Sequence, residues 1–180
     1  MTSKWSAVVL LAAGLFIASP AHALPGVGAA RPDITLVDAW DRSFSIGKTG
    51  TKPILIIYED KDSAAQNRAL KGDLARLAKG DRYKNAVALV AIADVTGYDY
   101  WPIRGFVKDS IQEESVKWST PIYCDWNGAF RSALGLKKGT SSVVLYGKDG
   151  RVLLAHEGTM PADKRRVLVD LLRAEVGAST

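Results

Sequence analysis

The chain has 180 residues, enough for one domain behind a short export segment. Apolar residues make up 47% and charged residues 24%, so a core can be buried and a disordered tail is excluded. A single cysteine, Cys124, excludes an internal disulfide, a CxxC pair and a multi-cysteine zinc site, and two histidines exclude a histidine-rich metal centre. The net charge of +5 is dispersed and does not form a nucleic-acid footprint.

Residues 1–23 read as a signal peptide. Lys4 is the only charge near the start, residues 7–18 (AVVLLAAGLFIA) are an apolar run, and Ala21-His22-Ala23 ends the stretch with small residues at the cleavage positions. As a helix that run covers about 18 Å, short of the roughly 30 Å hydrocarbon layer, which argues against a retained anchor. Removal of residues 1–23 deletes one lysine and no acid, leaving a net charge of +4, and makes the periplasm the expected compartment. Residues 24–32 (LPGVGAARP) read as a flexible leader, and 33–177 as the domain.

Within the domain, 34–37 and 44–46 are short strand candidates. The run at 53–58 (PILIIY) has the continuous apolar character of a strand covered on both faces. Residues 63–79 space Ala64, Leu70, Leu74, Leu77 and Ala78 along one helical face, with Asp62 or Ser63 as cap and Gly80 as stop. A second buried strand is expected at 86–95, an aromatic loop at 96–102, a helix at 104–118, a strand at 121–124 and a short helix at 129–134. Strands at 142–146 and 152–156 flank Gly147-Lys148-Asp149-Gly150, a hairpin signal, and a helix at 161–175 closes the chain. Strands that alternate with helices force right-handed parallel crossovers. The expected fold is α/β: a central mixed sheet flanked by helices on both faces.

This layout resembles thioredoxin-like proteins and their peroxiredoxin relatives. Asp81-Arg82-Tyr83, the strand 87–94, Gly105-Phe106-Val107, Trp118-Ser119, Asp125, the run from Ser141-Ser142-Val143-Val144 to Gly150-Arg151-Val152, and Gly158 resemble the exported YtfJ-like family of bacteria. That resemblance implies a thioredoxin-like fold and an exported compartment, and no established activity. A thioredoxin-type enzyme needs a thiolate at the start of the helix after the first central strand. Here that place reads Glu59-Asp60-Lys61-Asp62-Ser63-Ala64-Ala65, without sulfur. The segment expected to face it, Gly139-Thr140-Ser141-Ser142-Val143, lacks the proline that thioredoxins carry there.

Three candidates remain. Cys124 is the only thiol that a one-cysteine peroxidase or oxidoreductase could use, although Asp125 beside it would raise its pKa and a buried cysteine commonly serves as a small hydrophobe. Glu59, Asp60, Asp62, Asp94 and Asp125 follow strands expected to be parallel, where α/β sheets bind ligands. They would either gather around a hard cation such as Ca²⁺, or Asp60 and Asp62 would cap the helix while the others lie apart, and no EF-hand spacing is present. Tyr98, Tyr100 and Trp101, with Trp126, would form an aromatic rim for a peptide or protein partner, or else pack onto the domain. Ser141 and Ser142 lack a nucleophile elbow, and the basic clusters at 137–138 and 164–166 read as solvated faces. The expectation is therefore a binding module for an unknown protein or peptide, without cofactor or metal, nucleic acid or stable membrane anchor.

Overall fold

The computed structural model describes residues 23–79 and 81–177. The signal-peptide reading falls on residues 1–22, outside the described residues apart from Ala23, and so does Gly80.

The strands are β1 (Thr35–Asp38), β2 (Ser43–Ser45), β3 (Ile54–Glu59), β4 (Ala88–Asp94), β5 (Ile122–Asp125), β6 (Ser142–Tyr146) and β7 (Val152–Glu157). They form one sheet in the order β2-β1-β5-β4-β3-β6-β7. The β3–β4 and β4–β5 pairs are parallel, and β1–β2, β1–β5, β3–β6 and β6–β7 are antiparallel. The helices are α1 (Arg68–Leu77), α2 (Asp81–Ala86), α3 (Ile103–Trp118), α4 (Ala129–Leu134) and α5 (Ala162–Gly177). The mixed sheet with covering helices is the architecture expected from the sequence.

The crossovers β3–α1–β4 and β4–α3–β5 run the same way across the sheet, so right-handedness puts α1 and α3 on one face. Leu55, Val143, Leu145 and Leu154 meet Leu70, Leu168 and Leu172 there, which places α5 beside α1. On the opposite face Ile54, Ile56, Tyr58, Val90, Ile92, Val144 and Tyr146 pack against Phe130 and Leu134 of α4 and against Ile46. The alternation of β3 thus splits neighbours between two cores: Tyr58 faces α4, and Glu59 faces α1.

Two local expectations are corrected. Helix α1 begins at Arg68 rather than Ser63. Residues 61–67 form turns because the Asn67 side chain is drawn to Ser141, Gly158 and Met160, holding its backbone at φ −106°, ψ 33°, outside the helical basin. The segment 24–32 is not a free leader either. The Gly28 amide donates to the Val152 carbonyl (2.8 Å), Arg31 to Gly150 (2.8 Å) and Val152 back to Ala29 (2.9 Å), so Ala30 bridges Arg151. Leu24 and Ala29 add apolar contact to the α4-side core.

Candidate functional site

At the carboxyl end of β3, the chain crosses to the loop before β6 through a set of polar bonds. Glu59 accepts from Lys71 Nζ (2.5 Å) and from Ser141 Oγ (2.9 Å). Asn67 Nδ2 donates to Ser141 Oγ (2.8 Å) and to the Gly158 carbonyl (3.0 Å), while its Oδ1 accepts the Met160 amide (2.8 Å). Gln66 Oε1 accepts the Ser141 amide (3.0 Å), and its Nε2 donates to the Gly139 carbonyl (3.2 Å). Asp60 Oδ2 accepts the Gly139 amide (2.6 Å), and Oδ1 accepts those of Ser63 (2.8 Å) and Asp62 (3.1 Å). Partial burial raises the Asp60 carboxyl, but the bonds from Ser63, Gly139 and Asp62 outweigh it and hold it below the usual value. Asp62 contributes its amide and leaves its side chain exposed. The two segments where a redox pair would need an open cleft are stitched together.

A second cluster lies on the other face. Asp94 and Asp125 are register partners on β4 and β5 and are both buried. Asp125 accepts the Tyr58 hydroxyl (3.0 Å) and the amides of Phe130 (3.3 Å) and Arg131 (3.0 Å), so it caps α4. Asp94 forms an ion pair with Arg131, whose guanidinium also reaches Thr96 Oγ1 (2.9 Å). Burial raises Asp94, yet bonds from Thr96, Arg131 and Tyr58 leave it lowered. Tyr58 is raised by burial and by the two nearby carboxylates.

These acids do not converge. Glu59 and Asp60 serve the α1 side, whereas Asp94 and Asp125 serve the α4 side. Among the described residues no three His, Cys, Asp or Glu side chains gather closely enough to hold a metal.

The loop after β4 is different in character. Tyr98 is 40% exposed, Tyr100 57% and Trp101 90%. Trp126, half-buried, lies under the Arg104 guanidinium at 4.4 Å, and Arg104 is paired with Asp99. Phe106 and Trp118 of α3 and Trp40 beside it are also exposed.

The sequence matches, over residues 38–175, the family described as "Bacterial protein of unknown function (YtfJ_HI0045)". The chain belongs to the YtfJ_HI0045 family. No curated protein matches it. Solved structures supply the fold. A protein assigned as a thiol:disulfide interchange protein DsbE from Chlorobium tepidum aligns with TM-score 0.64 at 17% identity, covering 85% of this chain and 99% of that one. A thiol-disulfide oxidoreductase from Bacteroides fragilis aligns at TM-score 0.56 and 18% identity, covering 80% and 99%. The exposed lipoprotein thioredoxin of Streptococcus pneumoniae aligns at TM-score 0.52 and 14% identity, covering 79% and 99%. This YtfJ_HI0045 member therefore has a thioredoxin-like fold.

Its one thiol stands elsewhere in that fold. Cys124 lies in β5 between Ala93 of β4 and Val37 of β1, 3% exposed, on the face carrying α3. Burial, with a smaller contribution from Asp38, pushes the thiol up to about 12. A thiolate at neutral pH is therefore negligible, and the expected reactive candidate is a buried hydrophobe in its physical behaviour.

Reasoning on sequence missed Arg131, the charge partner of Asp94, and the pair Gln66 and Asn67. Arg131 is six residues beyond Asp125, in the first turn of α4, and its amide donates to the Asp125 carboxylate. Nothing local announces that Arg131 also reaches Asp94, 37 residues away.

Proposed function

We propose that this YtfJ_HI0045 member is an exported thioredoxin-like domain that acts by binding, with the Tyr98–Trp101 loop as its contact surface for a peptide or protein partner. The observation carrying the reading is the closure of the would-be redox cleft: Asp60, Gln66 and Glu59 engage Gly139 and Ser141. With that region bonded to itself and Cys124 buried, thiol chemistry has no accessible nucleophile. Support for binding comes from the exposed rings of Tyr98, Tyr100 and Trp101 beside the carboxyl ends of the parallel strands, since aromatic side chains enrich interfaces. Support for export comes from the three-part pattern of residues 1–23, and no helix among the described residues is long and apolar enough to cross a membrane.

The test is an array of short immobilised peptides probed with the purified domain. Wild type binds a subset of them. A Tyr100→Ala/Trp101→Ala double variant loses at least tenfold in affinity on that subset while keeping the wild-type melting temperature. Equal binding by both proteins would refute the assignment of this loop.

A further inference from the structure

Helices α1 and α5 share an apolar cluster built on Leu70, Leu168 and Leu172. Beside it, their facing stripes enclose an open groove of about 430 Å³. Half-buried Leu77 and Val169 supply its apolar part. The rest is charge: Arg76 and Asp73 from α1, and Arg165, Arg166, Asp170 and Arg173 from α5. Helical spacing brings them together, since 73, 76 and 77 fall on one stripe of α1 and 166, 169, 170 and 173 on one stripe of α5. Four guanidinium groups against two carboxylates leave the lining at +2, and arginine does not lose its charge in proteins.

The two carboxylates position guanidinium groups without neutralising all of them. Asp73 pairs through Oδ1 with Arg76 and through Oδ2 with Arg165 Nε (2.8 Å), so one acid ties the two helices and sets two cations side by side. Arg165 is fixed further by its Nη1 bond to the Met160 carbonyl (3.1 Å). Asp170 pairs with Arg173 Nη1 at 3.1 Å. Arg166 makes no ion pair among the described residues, although Asp170 stands one turn along its own helix. The remaining acids of α5 do not supply the missing charge: Asp163 does not line the groove, and Glu175 accepts the Lys148 amide (2.9 Å).

A planar guanidinium presents paired N–H donors that match two oxygens of a phosphate. A phosphomonoester carries about −1.5 to −2 charge at pH 7, which balances this lining, whereas a monoanion leaves half of it unmet. The volume exceeds the need of a bare ion, because small-molecule sites begin at about 300 Å³, and Leu77 and Val169 offer contact to an organic body. We propose that the α1–α5 groove binds the dianionic phosphate of a phosphomonoester, with Arg166 and Arg173 as its main donors and Arg76 and Arg165 beside them. The groove shares no residue with the aromatic loop, so this site stands or falls separately from any partner bound there.

The experiment is calorimetric titration of the full mature chain with glycerol 3-phosphate and with phenyl phosphate, in sodium chloride at constant ionic strength so that screening is fixed. Saturable binding is expected. Arg166→Gln weakens it at least tenfold and leaves the melting temperature unchanged, since Arg166 has no ion-pair partner to lose. Asp170→Asn strengthens it several-fold by removing a competing acid and freeing Arg173. Phosphatidylcholine vesicles containing about one-fifth phosphatidic acid separate the two sources of the group. Co-sedimentation that Arg166→Gln abolishes assigns the phosphate to a lipid headgroup, and binding of the soluble esters alone assigns it to a free ester. Absence of saturable binding to esters and vesicles alike overturns the proposal. So does equal affinity in wild type and Arg166→Gln, the result expected of a merely solvated charged face.

Discussion

At the scale of single residues, two side chains decide what chemistry is open. Cys124 has the identity of a nucleophile but the surroundings of a core methyl group: strand neighbours on both sides and α3 on its face. In native protein it should resist an aromatic disulfide reagent at neutral pH and react fully once denaturant is added. Cys124→Ser should cost roughly 1–3 kcal/mol in a denaturant melt, because a hydroxyl replaces a thiol in a buried apolar site. Asp94 is the opposite case, a buried charge whose stability depends on Arg131. Arg131→Ala should cost about 3 kcal/mol, the lower end for a broken buried pair because the Arg131 side chain keeps 23% exposure. The pH dependence follows from the folded state lowering both Asp60 and Asp94. Each contributes stability that is complete above the unfolded carboxylate value near 4, and that is lost as pH falls through the lower folded value. Asp94→Asn should therefore flatten the acid limb of a stability-versus-pH curve below about pH 4, and an unchanged limb would refute the role given to Asp94.

Elements were legible where their cause is local. The apolar runs of β3 and β4, the Asp149-Gly150 turn between β6 and β7, and the short helix Ala129–Leu134 follow from periodicity and turn chemistry. The start of α1 was not legible, since what removes Asn67 from the helix lies 74 to 93 residues further along. The N-terminal arm was misread for the same reason. Its Pro and Gly content signals looseness, but its backbone partners are Gly150 and Val152, at the far end of the chain. Deleting residues 24–31 should lower stability by roughly 2–4 kcal/mol through lost backbone bonds and exposed core, whereas a free leader could be removed at no cost. The aromatic loop was visible as composition, but its exposure was not. Trp101→Ala should leave the melting temperature within a degree of wild type, because a ring 90% exposed stabilises little.

At the scale of the molecule, the chain folds as a thioredoxin-like sheet, and hydrogen bonds join the carboxyl end of β3 to the loop before β6. The fold was readable from the order of strands and helices. The fate of the cleft was readable only as missing sulfur and missing proline, since the bonds that close it pair Asp60 and Gln66 with residues more than 70 positions away. The YtfJ_HI0045 family to which the chain belongs is described as of unknown function. The most direct test is a turnover assay: reduction of insulin by dithiothreitol and consumption of peroxide, each with wild type and Cys124→Ser. Rates at the uncatalysed background for both proteins are the predicted result. Turnover by wild type that vanishes in Cys124→Ser would contradict it.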